Sequence, residues 1–317
     1  MKRTLITLLV LIFALSIFTL GCGKKETNLL LATGGTGGTY YPLGGAMAEA
    51  WTKHIDGLNV SIQSTGASVE NIRLIDSGET ELAMAMNGPA MDAYAGKGSF
   101  DKKIDFAAVG VIYPEVMQVV APINTGIKTI DDLKGKRVSI GPAGSGTAAV
   151  AVKMLEAYGI DPDKDIDKFQ DNFADAATKL KDGLLDAAFA VLAVPAGSII
   201  DVTTSTPVTI VNVQGEGLNK LLTADPTLSA FEIPANTYKG QDGVGYTVSQ
   251  WAVLYVKKDL PDDIVYQMTK VMYENTAEIA AAHDAGNQIT IDNAMKGIPP
   301  VPFHPGAEKY YKEVGLK

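Results

Sequence analysis

Apolar and polar positions in this chain follow two periods in turn. "NLLLAT" (28–33) is an apolar run of strand length. In "YPLGGAMAEAWTKHI" (41–55), Leu43, Met47, Ala50 and Trp51 recur on one helical face. "VSIQST" (60–65) reads as a strand and "SVENIRLIDSG" (68–78) as a helix, with Ser68 as N-cap and Asn71 completing an approximate capping box. "ELAMAMN" (81–87) is a third strand, ended by Gly88-Pro89. Strands alternating with helices predict a mainly parallel sheet with helices on both faces.

Two longer extended patterns interrupt this rhythm. The first is "AAVGVIYPEVMQVVAPI" (107–123), broken at Pro114, and the second is "VGYTVSQWAVLYVKKDL" (244–260). Between them the βα rhythm restarts. "TIDDLKG" is a short helix capped by Thr129, "KRVSIGP" a strand, and "GSGTAAVAVKMLEAYG" a helix ended by Gly159. "DAATKLKDGLLDAAFAVLAV" follows as helix and strand, then "PVTIVNV". After the second long pattern comes a helix from Pro261 to about His283, with Asp262 and Asp263 in its first turn. The expected fold class is therefore α/β: two Rossmann-like lobes joined by two crossover strands, with a ligand cleft between the lobes. Residues 28–118 plus 250–317 form the discontinuous lobe 1, and 119–249 form lobe 2. Lobes joined in this way can close on a ligand like a hinge.

A length of 317 residues agrees with two domains, and 46% hydrophobic with 20% charged residues is a globular composition. The formal net charge of −9, without basic clusters, argues against nucleic acid as a partner. Arginine occurs only at positions 3, 73 and 137, which excludes a site built on several guanidinium forks. Arg73 and Arg137 read as surface or lobe-stabilising charges, and Trp51 and Trp251 as core.

The N-terminus carries its own signal. "MKRT" is basic, residues 5–20 are apolar or hydroxyl-bearing without interruption, and "TLGC" ends in Cys22, the only cysteine. This pattern predicts a lipoprotein signal peptide over 1–21, lipidation of Cys22 and a short tether over 22–28. The mature chain is then extracytoplasmic, lipid-anchored to the outer face of the cytoplasmic membrane and free of disulfides. ATP and NAD are scarce there, which counts against cofactor enzymes.

Catalytic patterns are missing. "GGTGGTYYP" fails G-x-G-x-x-G, since Tyr40 stands where the third glycine belongs. No P-loop and no G-x-S-x-G are present, and His54, His283 and His304 are isolated, without metal spacing. The expectation is a non-enzyme with no cofactor and no metal.

One device is present three times: a strand ends in glycine and small hydroxyl residues, and a helix starts at once. The three are "LATGGTGGTYYP", "QSTGASVENI" and "SIGPAGSGTAAV". A helix start offers unpaired N–H groups and a partial positive charge, and glycine admits close approach to the backbone. Two starts fall in lobe 1 and one in lobe 2, so they can meet on a carboxylate across a cleft without arginine. One of Tyr40 and Tyr41 either covers or donates to the ligand or packs against the lobe, and Asn87 either orients a polar group of the ligand or forms a local Asx turn.

The ordered set "ATGGTGGTYYPLGGAMAE", "STGASVENIRLIDSGETELAMAMN", "DLKGKRVSIGPAGSGTAA", "FEIPANTYKGQDG", "VSQWAVLYVKKDLPDDIVYQMTK" and "PPVPFHPGAEKYYKE" resembles the TAXI proteins. These are solute receptors of one branch of TRAP transporters, and the likeness covers essentially the whole mature chain. It implies the type II periplasmic-binding fold and a TRAP membrane permease, driven by an ion gradient, as partner. It also implies a small carboxylate ligand such as glutamate, glutamine or 2-oxoglutarate. The ligand-binding residues implied are Thr36, Gly38, Thr39 and Tyr40, then Thr65 and Ser68, Asn87, and Ser145, Gly146 and Thr147. Residues 190–194 would line the lobe 2 wall, although "FAVLAVPAG" is more apolar than such a ligand suggests. The alternatives are a receptor of the same fold serving an ABC importer or a sensor, and an enzyme on this fold.

Overall fold

The computed structural model describes residues 26–316, so the expected signal peptide, Cys22 and most of the tether lie outside the described residues. The elements in chain order begin with β1 (Thr27–Ala32), α1 (Tyr40–His54), β2 (Leu58–Gln63), α2 (Ser68–Ser77), β3 (Leu82–Met86) and α3 (Asn87–Ala95). The long strand β4 (Ala107–Pro122) leads to β5 (Arg137–Ser139), α4 (Gly146–Ala157), β6 (Asp167–Phe169), α5 (Phe173–Lys181), β7 (Ala187–Leu192), α6 (Gly197–Ser205) and β8 (Val208–Ile210). Then come α7 (Gly215–Ala224), β9 (Ser229–Ile233), the second long strand β10 (Gly245–Val256), α8 (Asp262–Glu274), α9 (Thr276–Ala280) and α10 (Pro305–Glu313).

The strands form one mixed sheet in the order β2-β1-β3-β10-β4-β7-β5-β6, with β8 added to β4 and β9 to β10. The outer strands are parallel within each lobe, whereas β4 and β10 run antiparallel to each other and to β3 and β7. β4 spans both lobes: its start pairs with the end of β10 near β3, and its end pairs with β7 and β8. The two extended patterns are thus the two crossovers, and the fold is the two-lobed α/β architecture expected. Pro114 does not break β4; it stays in register with Trp251.

Each lobe buries two apolar layers, one per sheet face. In lobe 1, α1, α8 and α10 cover one face around Leu43, Met47, Trp51 and Met268, and α2 and α3 cover the other around Ile72, Ala90 and Phe106. In lobe 2, α4 and α7 pack on Val138, Phe189 and Leu221, and α5 and α6 on Leu180, Ala188 and Ile199. The periodic stripe of α1 is wholly buried, and the Trp51 indole N–H donates to the Met268 carbonyl at 2.9 Å. Trp251 is only partly buried, under Lys296. Gly44 lets α1 lie close on β1, since a Cβ there would come within 2.7 Å of the Thr33 methyl.

Several local expectations are corrected by long-range partners. The third strand does end before Gly88-Pro89, but the pair lies in the first turn of α3, which starts already at Asn87, where a proline removes no intrahelical bond. Ser68 is the first helical residue of α2, not its cap, and its hydroxyl accepts the Met86 N–H at 3.1 Å. Asn71 leaves the capping box altogether: its buried amide donates to the carbonyls of Thr33 at 2.6 Å and Met84 at 2.7 Å, tying β1 to β3. The helix expected to reach His283 stops at Glu274, and α9 restarts after Asn275. The segment after Thr129 is a 3-10 turn, although Thr129 does form a capping box with Asp132.

Candidate functional site

The glycine–hydroxyl loops converge where the carboxyl ends of the strands of both lobes face each other. Between them lies a cavity of about 80 Å³. Lobe 1 lines it with the β1–α1 loop, including Gly38, Thr39 and Tyr40, and with Ser68 at the start of α2. Lobe 2 lines it with Ser145, Gly146 and Thr147 at the start of α4, Phe173 of α5, and Phe189 to Leu192 of β7. The crossover strand β4 forms part of the wall through Tyr113 and Glu115.

Most of the expected residues therefore meet. Thr36, Thr65 and Asn87 do not line this cavity. Thr36 is exposed on the loop. Thr65 turns inward, its hydroxyl between the Thr33 carbonyl and the Asn71 side chain, so it braces the loop. Asn87 is 1% exposed and fully occupied: it donates to the Gly297 carbonyl at 2.9 Å and accepts the Trp251 N–H at 3.1 Å. Its amide holds lobe 1 together and is turned from the cleft. Of the two tyrosines, Tyr40 is the one that reaches the cavity. Among residues 190–194, Ala190, Val191 and Leu192 line it, and the wall they make is apolar.

The other isolated candidates have structural partners. His54 contacts Glu278, while His283 and His304 accept backbone N–H groups at helix or turn starts. Arg73 donates to the Ser99 carbonyl, and Arg137 forms a forked pair with Asp186 that links β5 to β7. Among the described residues, no group of three His, Cys, Asp or Glu is placed to hold a metal ion.

At α4, Ser145 is a true N-cap, accepting the Ala148 N–H at 2.9 Å while its hydroxyl donates to the Pro142 carbonyl at 2.7 Å. Its side chain is thereby committed to its own helix. The N–H groups of Gly146 and Thr147, in the first turn, have no intrahelical acceptor by the geometry of an α-helix. They and the helix dipole favour an anion at this end of the cavity.

Glu115 is the residue that the sequence reading overlooked. It is 4% exposed, and each carboxylate oxygen accepts a phenol hydroxyl, from Tyr40 at 2.7 Å and from Tyr113 at 3.2 Å. Burial pushes its pKa up to about 8, against the lowering effect of the two phenols. Burial, then the neighbouring Glu115, holds both phenols well above their ordinary range. A signal for this residue does exist in the chain: Glu115 is the only ionisable carboxyl in the sixteen-residue β4, which is otherwise almost wholly apolar.

The cleft is bridged by direct bonds between the lobes. The N–H groups of Val69 and Glu70, at the start of α2, both donate to the Gly144 carbonyl at 3.1 Å. That helix start thus latches lobe 2 with its backbone donors and turns Gly66, Ala67 and Ser68 to the cavity. The Ala193 N–H donates to the Thr39 hydroxyl at 3.2 Å. At the rim, Lys153 of α4 reaches Asp92 of α3 at 3.3 Å and Asp225 at 2.8 Å. Gly146 makes the close approach possible: a Cβ there would lie 2.3 Å from the Met86 sulfur and 2.8 Å from the Ser68 hydroxyl.

The NMT1-like family matches residues 31–315, and the chain belongs to that family. Among solved structures of like fold, a putative L-cystine ABC transporter protein from Listeria monocytogenes is 15% identical with a TM-score of 0.53, over 84% of this chain and 98% of that one. A structure from work on glutathione import through GshT and the cystine ABC importer TcyBC of Streptococcus mutans is 13% identical, TM-score 0.52, over 83% of this chain and 95% of that one. These likenesses establish the fold. The family match corrects the expected TAXI membership: the matching family is NMT1-like. The physical reason lies in the motifs behind the resemblance. Glycine–hydroxyl helix starts facing a cleft are what a two-lobed binding fold needs, so they report the fold more than the branch.

Proposed function

We propose that this member of the NMT1-like family is an extracytoplasmic solute-binding protein that captures a small carboxylate in the cleft and delivers it to the permease of an ABC importer. The observation that carries this reading is the cavity between the lobes. It is small, is lined by three converging helix starts, and is bridged by backbone bonds from one lobe to the other. The ligand carboxylate is placed against the first-turn N–H groups of α4, with Thr147 beside it. Gly38, Thr39, Tyr40 and Ser68 face it from lobe 1, and its remainder lies along Ala190, Val191 and Leu192. Capture on one lobe followed by rotation about β4 and β10 needs no covalent chemistry and no cofactor. The ABC assignment draws support from the neighbours named above, and tethering through Cys22 from the basic, apolar and cysteine order of the N-terminus.

A thermal-shift panel on purified protein, unfolded and refolded to strip any ligand, tests the reading. A ligand at about 100 times its dissociation constant adds about 2.7 kcal/mol to the folded state. At this size, that raises the midpoint by several degrees, on the order of 5 °C. A shift confined to small carboxylates is expected. Shifts with sugars or inorganic phosphate alone overturn it. For the partner, uptake in cells carrying the protein is expected to stop when ATP is depleted with the ion gradients maintained.

A further inference from the structure

We propose that Ala67 sets the size of the solute: its methyl group occupies cleft volume that a glycine would leave free. This deepens the solute-binding reading and rests on it.

Ala67 has φ 79° and ψ −143°, a backbone conformation that glycine reaches freely and other residues reach only with strain. Among the described residues, every other positive φ belongs to a glycine, except at Asn236. Asparagine tolerates positive φ through local hydrogen bonds of its side chain, and alanine has no such means. The turn is held within lobe 1. The Ala67 N–H donates to the Thr65 hydroxyl at 3.0 Å, and its carbonyl accepts the Asn71 N–H at 2.9 Å. The preceding Gly66 N–H donates to Glu70 Oε2 at 2.7 Å. None of these bonds uses the Ala67 side chain, so a glycine would make all of them without the strain.

The methyl group therefore has a role that the turn itself does not supply. Core packing is not that role. Ala67 is only partly buried, at the edge of the lobe 1 apolar layer. Burying one methyl stabilises by less than the strain of such a residue costs. What the residue does reach is the cleft: Ala67 lines the cavity together with Gly34 and Tyr40. A Cβ built on Gly34 would lie 3.5 Å from the Ala67 methyl and 3.5 Å from the Tyr40 Cβ. The methyl thus stands over the bare backbone of the β1–α1 loop and thickens the lobe 1 wall there. Beside it, Gly66 leaves room for lobe 2, since a Cβ at that position would come within 3.1 Å of the Ala143 carbonyl. The turn keeps the approach of lobe 2 open at Gly66 and narrows the cavity at Ala67. In a cavity of about 80 Å³, a single methyl decides which chain length fits.

Three carboxylate series in one-carbon steps test this: acetate to hexanoate, pyruvate to 2-oxohexanoate, and malonate to adipate. Each is titrated calorimetrically into refolded wild-type protein and into Ala67→Gly. The wild type is expected to show an optimum chain length in at least one series. Ala67→Gly should move that optimum one carbon longer, changing the affinity ratio of the two neighbouring members on the order of tenfold. Its ligand-free unfolding midpoint should rise by about 1–3 °C as the strain is removed. Gly34 has no positive φ. Gly34→Ala added to Ala67→Gly therefore puts a methyl back on the same wall and should return the optimum toward the wild-type length. An unchanged optimum in Ala67→Gly, or a lowered midpoint, overturns the role given to Ala67 and leaves the solute-binding reading standing. Failure of every carboxylate to bind either protein overturns both.

Discussion

The two lobes share one architecture but bring different materials to the cleft. Lobe 1 presents side-chain hydroxyls already engaged in a buried network: Thr39, Tyr40 and Ser68, joined through β4 to Tyr113 and Glu115. Lobe 2 presents a helix start whose serine is turned to its own cap, together with the apolar wall of β7. The loops are also braced differently. In lobe 1 the buried Asn71 amide ties the β1 loop to β3, whereas in lobe 2 the half-exposed Arg137 and Asp186 join β5 to β7. Under the proposed function, lobe 1 serves as a polar half-site and lobe 2 contributes backbone donors and apolar surface. A solute that satisfies both must be polar at one end and compact.

The largest test addresses the buried charge of the polar half. The folded-state pKa of Glu115 lies above its unfolded value, so the ligand-free protein is most stable below about pH 4.5 with respect to this group, and loses that contribution up to about pH 8. The loss runs at up to about 1.4 kcal/mol per pH unit, and Glu115→Gln should flatten it. Denaturant unfolding at a series of pH values measures the slope; identical slopes in the two proteins would remove the charge from the account. Next in size, Asn71→Ala should cost about 3 kcal/mol by leaving buried carbonyls without a donor. Arg137→Ala should cost below about 1 kcal/mol, as partly exposed ion pairs do. Equal effects would erase the contrast in bracing.

Smaller effects probe closure. Gly146→Val forces a side chain against Met86 and Ser68 across the cleft. Overpacking of this kind costs about 1–3 kcal/mol, so ligand affinity should drop roughly tenfold to a hundredfold. The unfolding midpoint without ligand should move little, because an open cleft relieves the clash. Calorimetry and thermal melts separate the two. Smallest is Lys153→Ala, which removes the rim contact to Asp92; a two- to fivefold weakening of affinity, on the order of 0.5–1 kcal/mol, is expected. A loss beyond tenfold would make the rim, not the network, the main latch.

What the sequence by itself determined is what depends on local period and chain order. The alternation of apolar runs and helical stripes carries the α/β class, the two long extended patterns carry the crossovers, and three glycine–hydroxyl breaks mark where helices start at the cleft. Gly38, Thr39, Tyr40, Ser68, Ser145, Gly146 and Thr147 were legible for that reason, and so was the apolar wall after Phe189. Only the tertiary structure decided the partners. Asn71 reads as part of a cap until β1 and β3 bring three carbonyls to its amide. Asn87 reads as a cleft residue until Gly297 and Trp251 occupy it. Glu115 is one acid in an apolar strand until Tyr40, 75 positions away, closes over it. A hydrogen bond's direction, a carboxyl's burial and its proton affinity depend on atoms far along the chain, and a one-dimensional pattern contains the residues but not the distances between them.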